Sequence, residues 1–189
     1  MTTRWLSLLL VLVFFSCDNG REFNYTLVPT FSKNSHLNCI VETPAGIKLK
    51  HKYDPTSNKF VLELKQGVEL PSNFPQPFNY GFVASTEMSE ERGGNGQPLG
   101  VFVIANDQLM GAVVETKPIG VAKLLKNDEI HDKLIAIPVN TEIETVSQLD
   151  QDVRDKALEL IVRCSEEGVE FDRWGEAEEA KDVVEKWKK

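Results

Sequence analysis

The sequence predicts an α+β fold that is mainly β, a small closed β-barrel with two helices packed on it near the C-terminus. Short segments rich in β-branched and aromatic residues alternate with Gly, Pro, Asn or Asp, which is the pattern of strands joined by turns. The C-terminal part instead has apolar residues at helical spacing. Many short strands on one chain favour a closed barrel, because closure removes exposed strand edges.

Eight segments have the strand pattern. They are 37–41, 47–53, 59–64, 79–83, 101–105, 112–115, 120–126 and 134–138. A charged, Gly-rich loop over 87–97 connects the fourth and fifth of these strands. Helices are predicted over 146–164 and 176–188, since each segment has one apolar face. The acidic start and Lys-rich end of the second segment suit the helix dipole.

The first residues are predicted to be a targeting segment. Arg4 precedes an eleven-residue apolar run over 5–15, which is too short to span a bilayer and is typical of a signal peptide core. Ser16 and Cys17 follow, as at a bacterial lipoprotein cleavage site. We therefore predict a signal peptide over 1–16, a lipidated Cys17 with a polar tether over 17–36, and a domain over 37–189. The domain would be exported to the bacterial cell envelope and lipid-anchored, in the periplasm or at the surface. An ordinary secretory signal or an uncleaved anchor is the alternative.

The charge balance limits the partners. Arg4 would leave with the signal peptide, so 20 of the 21 Lys and Arg residues would face 29 Asp and Glu, a net charge of −9. This balance argues against nucleic acid or an anionic membrane surface as a general partner. Membrane contact is expected through the N-terminal lipid, and any anion site must be a local cationic pocket. Cys39 and Cys164 could pair after export, but two separate buried thiols are predicted, and no Cys/His cluster has zinc spacing.

The most informative motif lies between residues 78 and 101. It begins with Phe-Asn-Tyr-Gly-Phe at 78–82 and ends with Asn-Gly-Gln-Pro-Leu-Gly-Val at 95–101. These residues resemble the family I soluble inorganic pyrophosphatases, in which an Asn-Tyr-Gly-aromatic strand precedes an Asp-Gly-Asp-Pro-x-Asp-Val loop that holds catalytic magnesium. The Gly-x-Pro-x-x-Val frame is kept here. Asn95, Gln97 and Gly100 stand where the three aspartates are expected.

Four further landmarks in the family order extend the resemblance over residues 37–189. They are Val-Glu-Thr-Pro at 41–44, Lys-Pro-Ile-Gly-Val at 117–121, Lys-Leu-Ile-Ala-Ile-Pro at 133–138 and Trp-Gly-Glu-Ala-Glu-Glu-Ala at 174–180. The resemblance implies an OB-like barrel with helices on one side, and a compact oligomer. It also implies hydrolysis of diphosphate to two phosphates, with several Mg²⁺ ions held by carboxylates and phosphate oxygens held by Lys, Arg and Tyr.

Carried over by position, some pocket residues implied by the resemblance are kept. They are the edge carboxylate Glu42, the phosphate-binding Lys50 and Lys133, and Tyr80. Other positions have changed: Lys52 stands at an expected glutamate, while Lys126 and His131 stand at expected aspartates. Leu64 lies near an expected arginine, and Cys164 with Ser165 lies near an expected Tyr-Lys pair.

The substitutions remove acids and add lysines. Four lysines around one pocket would repel one another without a counter-ion. We therefore predict that the Mg²⁺ implied by the resemblance is bound weakly or not at all, and that hydrolysis is lost or strongly reduced. The pocket would bind phosphate or a diphosphate-like anion, and the domain would act by binding or by assembly with a copy of itself or a protein partner. The lysines could instead be solvated charges on a changed loop.

Two other functions stay open. The chain could be an active Mg²⁺-dependent diphosphatase with a reduced site, in which a shifted loop brings Asp128 and Asp132 beside Glu42, with Lys50 and Lys133 holding phosphate. An exported location is awkward for this function, since diphosphate from biosynthesis arises in the cytoplasm. The third possibility is a structural domain on a membrane tether, with no small-molecule site.

Overall fold

The computed structural model describes residues 23–72, 74–106, 108–165 and 167–189. The predicted signal peptide over 1–16 and Cys17 lie outside these residues, as does the tether up to residue 22. No helix within the described ranges has the length and apolar character needed to cross a membrane.

The described residues form strands β1 to β11, two α-helices and three short 3₁₀ turns. The strands are β1 (Leu37–Thr43), β2 (His51–Asp54), β3 (Lys59–Leu62), β4 (Leu64–Lys65), β5 (Val68–Glu69), β6 (Phe78–Val83), β7 (Gly100–Ile104), β8 (Val113–Lys126), β9 (Glu129–Ile130), β10 (Lys133–Pro138) and β11 (Glu170–Glu176). The helices are α1 (Gln151–Cys164) and α2 (Ala177–Trp187). The 3₁₀ turns are Tyr25–Leu27, Glu90–Arg92 and Val146–Gln148.

Five strands form a closed ring in the order β1-β6-β7-β10-β8, and β8 pairs back onto β1. Within the ring, β7 and β10 are parallel and the other neighbours are antiparallel. β9 and β11 extend the sheet from the second half of β8. This confirms the predicted mainly β, α+β barrel with two C-terminal helices, and five closed strands agree with an OB-like architecture.

The long strand β8 differs from the prediction, which placed two separate strands at 112–115 and 120–126. The register against β10 steps from Gly120 opposite Ile135 to Pro118 opposite Ala136, leaving Ile119 as an extra residue. A β-bulge accommodates proline, which has no N–H to donate to the sheet. The strand therefore continues through Pro118, and one 14-residue strand pairs with both β1 and β10.

Two hydrophobic clusters lie on opposite faces of the strands, because successive side chains alternate. Leu134 and Ala136 of β10 pack in the cluster that α2 closes with the fully buried Trp187. Ile135 and Ile137 pack in the cluster that contains Leu160 and Ile161 of α1. The two helices therefore cover different faces, whereas the resemblance implied helices on one side.

Three other elements differ from the sequence expectation. The segment predicted as one helix over 146–164 begins with the separate turn Val146–Gln148, where Thr145 and Gln148 form a capping box, and α1 starts at Gln151. β11 was not predicted, because a register shift between Phe171 and Arg173 breaks its alternation. The hairpin β4–β5 was also missed.

The described part of the predicted tether packs on the barrel. Val28 is 7% exposed, and its carbonyl accepts a hydrogen bond from Ser85 Oγ at 2.7 Å. Asn38 Nδ2 donates to the Pro29 carbonyl at 2.9 Å. These contacts fix residues 25–30 against the ends of β1 and β6.

The described cysteines agree with the prediction of two separate thiols, but only one of them is fully buried. Cys39 is buried and Cys164 is half-buried, and neither forms a disulfide. Burial raises the pKa of the Cys39 thiol to about 12, so this group stays protonated and acts as a core residue.

Candidate functional site

A cavity of about 640 Å³ opens where β1, β6, β7 and β10 come together. The register sets this arrangement, because Gly100 of β7 lies opposite both Phe82 of β6 and Lys133 of β10, and Thr43 of β1 lies opposite Tyr80. Most of the residues singled out from the sequence line it. They are Glu42, Lys50, Lys52, Tyr80, Asn95, Gln97, Gly100, His131 and Lys133.

Lys50 is buried just before β2, and its ammonium has three partners. Nζ lies 2.9 Å from Glu63 Oε2, donates to the Cys164 carbonyl at 3.4 Å and sits 4.9 Å from the Tyr80 ring centroid. Burial alone would lower the pKa of Lys50, but the electrostatic interactions with Tyr80 and Glu63 outweigh it and the pKa lies above its ordinary value. Lys50 is therefore a fixed cation.

Glu42 is the one acid carried over from the resemblance, and it is 8% exposed. Its Oε1 accepts a hydrogen bond from the backbone N–H of Tyr53 at 2.7 Å. Burial raises the pKa of Glu42 to about 7, although the Tyr53 hydrogen bond and the Lys50 charge act in the opposite direction. At neutral pH this carboxyl group is therefore split between its charged and protonated forms.

Lys133 and Tyr80 meet above Gly100. A Cβ atom at position 100 would lie 3.0 Å from Lys133 Nζ and 3.1 Å from the Tyr80 hydroxyl oxygen, so the ends of both side chains occupy this space. Burial, together with the charge of Lys50, lowers the pKa of Lys133 to about 8. Lys133 is half-buried and makes no ion pair with any residue that the structure describes. It is therefore a cation directed at the cavity.

Asn95 and His131 occupy two positions where the resemblance implies metal-binding aspartates. Asn95 Nδ2 donates to His131 Nδ1 at 3.1 Å, and the other ring nitrogen of His131 lies 3.3 Å from Glu129 Oε2. The His131 ring therefore bridges Asn95 and Glu129. Asn95 Oδ1 also accepts the backbone N–H of Gln97 at 3.1 Å, which holds the loop turn. Two implied ligand positions thus hydrogen-bond to each other.

The structure does not bring Asp128 and Asp132 to the cavity. Asp132 is buried, and its carboxylate accepts hydrogen bonds from Lys123 Nζ at 2.6 Å and from the Leu124 backbone N–H at 3.2 Å. Alternation along the chain explains this, since His131 and Lys133 face the cavity and Asp132 points away. Asp128 is exposed at a turn with φ of 68°. The shifted loop that would bring these two acids beside Glu42 is therefore not observed in the described residues.

The two acquired lysines separate. Lys52 is exposed at the rim of the cavity. Lys126 lies in a neighbouring cavity of about 550 Å³, which shares Lys50 and also includes Lys65 and Arg163. The predicted group of four lysines is thus spread over two adjoining cavities with Lys50 between them.

The donor set does not fit the magnesium cluster that the resemblance implies. Among the described residues, no group of three or more His, Cys, Asp or Glu side chains is placed to hold a metal ion. Mg²⁺ requires near-octahedral oxygen ligands and usually relies on carboxylates. Asn95 and Gln97 bring no negative charge, and Glu42 is partly protonated at neutral pH.

Sequence reasoning missed Glu63, Tyr53 and Tyr25, all of which line the main cavity. Glu63 could have been found from the predicted β2–β3 hairpin, because pairing His51 with Leu62 places Lys50 beside Glu63. No sequence pattern pointed to Tyr25, since its segment resembled a tether.

Comparison with known proteins shows one family. The family model for inorganic pyrophosphatase matches residues 39–189. The chain is 32% identical over 160 residues to an inorganic pyrophosphatase of Sulfolobus acidocaldarius, covering 78% of this chain and 87% of that protein. It is 28% identical over 183 residues to one of Neisseria meningitidis serogroup B, covering 89% and 98%. The crystal structure of an inorganic pyrophosphatase from Neisseria gonorrhoeae matches with a TM-score of 0.66 at 24% identity, covering 86% and 95%. The last likeness confirms the fold.

The raised pKa of Glu42 predicts that folding stability depends on pH at this residue. Since the folded-state pKa of about 7 exceeds the ordinary value of 4.5, the folded state binds more protons between these pH values, and stability falls as pH rises through this window. The full effect is about 3 kcal/mol.

The variant Glu42→Gln tests this dependence, because it keeps an acceptor for the Tyr53 N–H and cannot ionise. Chemical denaturation should therefore show the variant matching wild type at pH 4 and exceeding it at pH 8. The exposed control Glu159→Gln should show no such trend, and a Glu42→Gln curve parallel to wild type would contradict the assignment.

Proposed function

The chain belongs to the inorganic pyrophosphatase family, and we propose that this member binds phosphate or diphosphate in a metal-free pocket, with hydrolysis lost or strongly reduced. One observation carries the proposal. Lys133 points into a cavity beside Tyr80 and Lys50 and makes no ion pair among the described residues. An anion is the ligand that such an ammonium group selects.

The first support is the chemistry of the former metal positions. Asn95 has an uncharged amide that is hydrogen-bonded to His131, and position 100 has no side chain. Hydrolysis through bound magnesium depends on ligands that hold the ions and lower the pKa of a bound water. The remaining cavity acids do not replace these ligands, because Glu63 is already paired with Lys50.

The second support is the charge balance within the cavity. Each of its three acids is compensated: Glu63 pairs with Lys50 at 2.9 Å, Glu87 pairs with Lys189 at 3.0 Å, and Glu42 has its pKa raised to about 7. Lys52 and Lys133 then add positive charge without a carboxylate partner in the described structure. The pocket is locally cationic although the whole chain is acidic.

The third support is the convergence of donors. The ammonium group of Lys133 and the hydroxyl group of Tyr80 share one end of the cavity, and the paired Lys50 ammonium group adds a fixed positive charge beside them. Hydrogen bonds from charged donors to phosphate oxygens are roughly twice as strong as neutral ones. Partial burial strengthens them further, since the effective dielectric constant falls away from bulk water.

The main test is calorimetric titration of the full chain with inorganic diphosphate, once with EDTA and once with Mg²⁺. We expect binding in EDTA that Mg²⁺ does not strengthen. Lys133→Gln should weaken binding at least tenfold, or about 1.4 kcal/mol, because it removes a charged donor. Lys181→Gln serves as the matched control, since Lys181 is exposed on α2 and pairs with Glu178. Absence of heat from wild type in both conditions would refute the anion pocket.

A second candidate is an active Mg²⁺-dependent diphosphatase with a reduced metal site. It is favoured by the 32% identity to a protein named inorganic pyrophosphatase, and by Glu42, Lys50, Tyr80 and Lys133 lining one cavity. No step can be assigned to a metal here, because the donor set does not fit the cluster.

Phosphate release separates the two candidates. The full chain is incubated with diphosphate and Mg²⁺ or Mn²⁺, and we expect turnover far below the usual enzyme range of roughly 1–10³ per second. Lys133→Gln controls for contamination, since any release that this variant leaves unchanged does not come from the pocket. Release within the usual range that Lys133→Gln abolishes would establish the active enzyme instead.

We also propose a location, a lipid-anchored domain in the bacterial cell envelope, with residues 1–16 as signal peptide and Cys17 as the lipidated residue. The support is the sequence pattern of Arg4, the apolar run over 5–15 and Ser16. In a bacterial host, wild type should sediment with membranes and Cys17→Ser should appear in the soluble fraction. Equal distribution of the two proteins would contradict lipidation at Cys17.

A further inference from the structure

The cavity has a second, aromatic end. Tyr25, Tyr53 and Phe82 line it together with the cationic residues. Tyr53 stacks on Phe82 with ring centroids 5.9 Å apart and an interplanar angle of 21°, and Tyr25 meets Tyr53 edge-on at 5.3 Å and 65°. Tyr25 and Tyr53 are half-buried, so part of each side chain stays accessible.

Strand β6 sets the distance between the two ends. Tyr80 and Phe82 lie two residues apart and share a face of the strand, which separates them by about 7 Å. Tyr80 belongs to the cationic end with Lys50, whereas Phe82 lies under the Tyr53 ring. A ligand that reaches both ends needs an anionic group and a planar group joined by a short linker.

The size of the cavity agrees with such a ligand. Its volume of about 640 Å³ falls within the range of roughly 300–1,000 Å³ that is typical of sites for organic molecules and cofactors. A bare phosphate or diphosphate would contact the cationic end alone and would not reach the exposed parts of Tyr25 and Tyr53.

The aromatic wall is held in place before any ligand arrives. The backbone N–H of Tyr53 donates to Glu42, and its hydroxyl group donates to Asn58 Oδ1 at 2.8 Å. Tyr25 also packs edge-on against Phe60, with ring centroids 5.0 Å apart. The hydrogen bond from Ser85 to the Val28 carbonyl anchors the segment that carries Tyr25. These rings form a built surface, which reduces the ordering cost of binding.

We propose that the pocket takes a nucleoside phosphate, with its phosphates at Lys50 and Lys133 and its base against Tyr25 and Tyr53. This inference rests on the proposed anion-binding function and names the ligand class of that site. Stacking on an aromatic side chain suits any base, because every base has a π-face. The rings therefore select a planar group without selecting one base.

The test is calorimetric titration of the full chain in EDTA with two probes, adenosine 5′-diphosphate and methyl diphosphate. Both carry a diphosphate group, and only the first carries a nucleoside. We expect adenosine diphosphate to bind about tenfold tighter. Tyr25→Ala should reduce its affinity about tenfold and leave methyl diphosphate unchanged, and Tyr25→Phe should restore the affinity because the ring is kept. Leu27→Ala is the matched control, since Leu27 lies on the same segment, is 77% exposed and does not line the cavity.

The contrary outcomes differ in what they overturn. Equal affinity for the two probes would overturn the nucleoside phosphate and leave the anion pocket standing. An equal loss of affinity for both probes in Tyr25→Ala would also overturn the nucleoside phosphate, because the ring would then support the fold of the pocket without contacting the base. If neither these probes nor inorganic diphosphate bind, the anion pocket and this inference fail together.

Discussion

Closure of the barrel through the pairing of β8 with β1 is the constraint on which the site depends. Strand β8 is long enough to pair with β1 over its first residues and with β10 over its later ones. This pairing places β1, β6, β7 and β10 around one opening. Glu42, Tyr80, Gly100 and Lys133, which are far apart in sequence, then share a cavity. A one-residue slip at any of these pairings would turn the side chains to the opposite face.

Within that opening, charge and protonation are linked. At neutral pH, Glu42 with its pKa near 7 and Lys133 with its pKa near 8 both lie close to their titration points. A nearby anion raises the pKa of each group, because it favours the more positive form. An anion bound near neutral pH would therefore be accompanied by proton uptake. The pocket would gain part of its positive charge only with the ligand present, which would lessen repulsion between Lys50 and Lys133 in the free protein.

The parts of the fold and site that depend on local sequence pattern or on ordered motifs could be predicted from the sequence. Strands with clear alternation, the second helix and the cavity residues Glu42, Lys50, Tyr80 and Lys133 were found this way. Features that depend on tertiary contacts were not predicted. The sequence of β8 has the pattern of two strands because Pro118 interrupts it, whereas in the barrel a β-bulge lets one strand continue through the proline. Asp132 looked like a possible metal ligand until its pairing with Lys123 was seen. Tyr25 could not be found, since a polar segment gives no sign of where it docks.

The position of Lys133 in the folded protein carries an electrostatic cost. Its pKa of about 8, against an ordinary 10.5, means that the folded state holds the charged lysine less favourably than the unfolded chain does. Folding therefore gains stability from Lys133 deprotonation only as pH rises from about 8 to 10.5, and at neutral pH this residue costs about 3 kcal/mol. That is a sizeable part of a typical folding free energy of roughly 5–15 kcal/mol. An anion between Lys133 and Lys50 would offset this cost in the bound state, which makes ligand binding and folding stability favour the same arrangement.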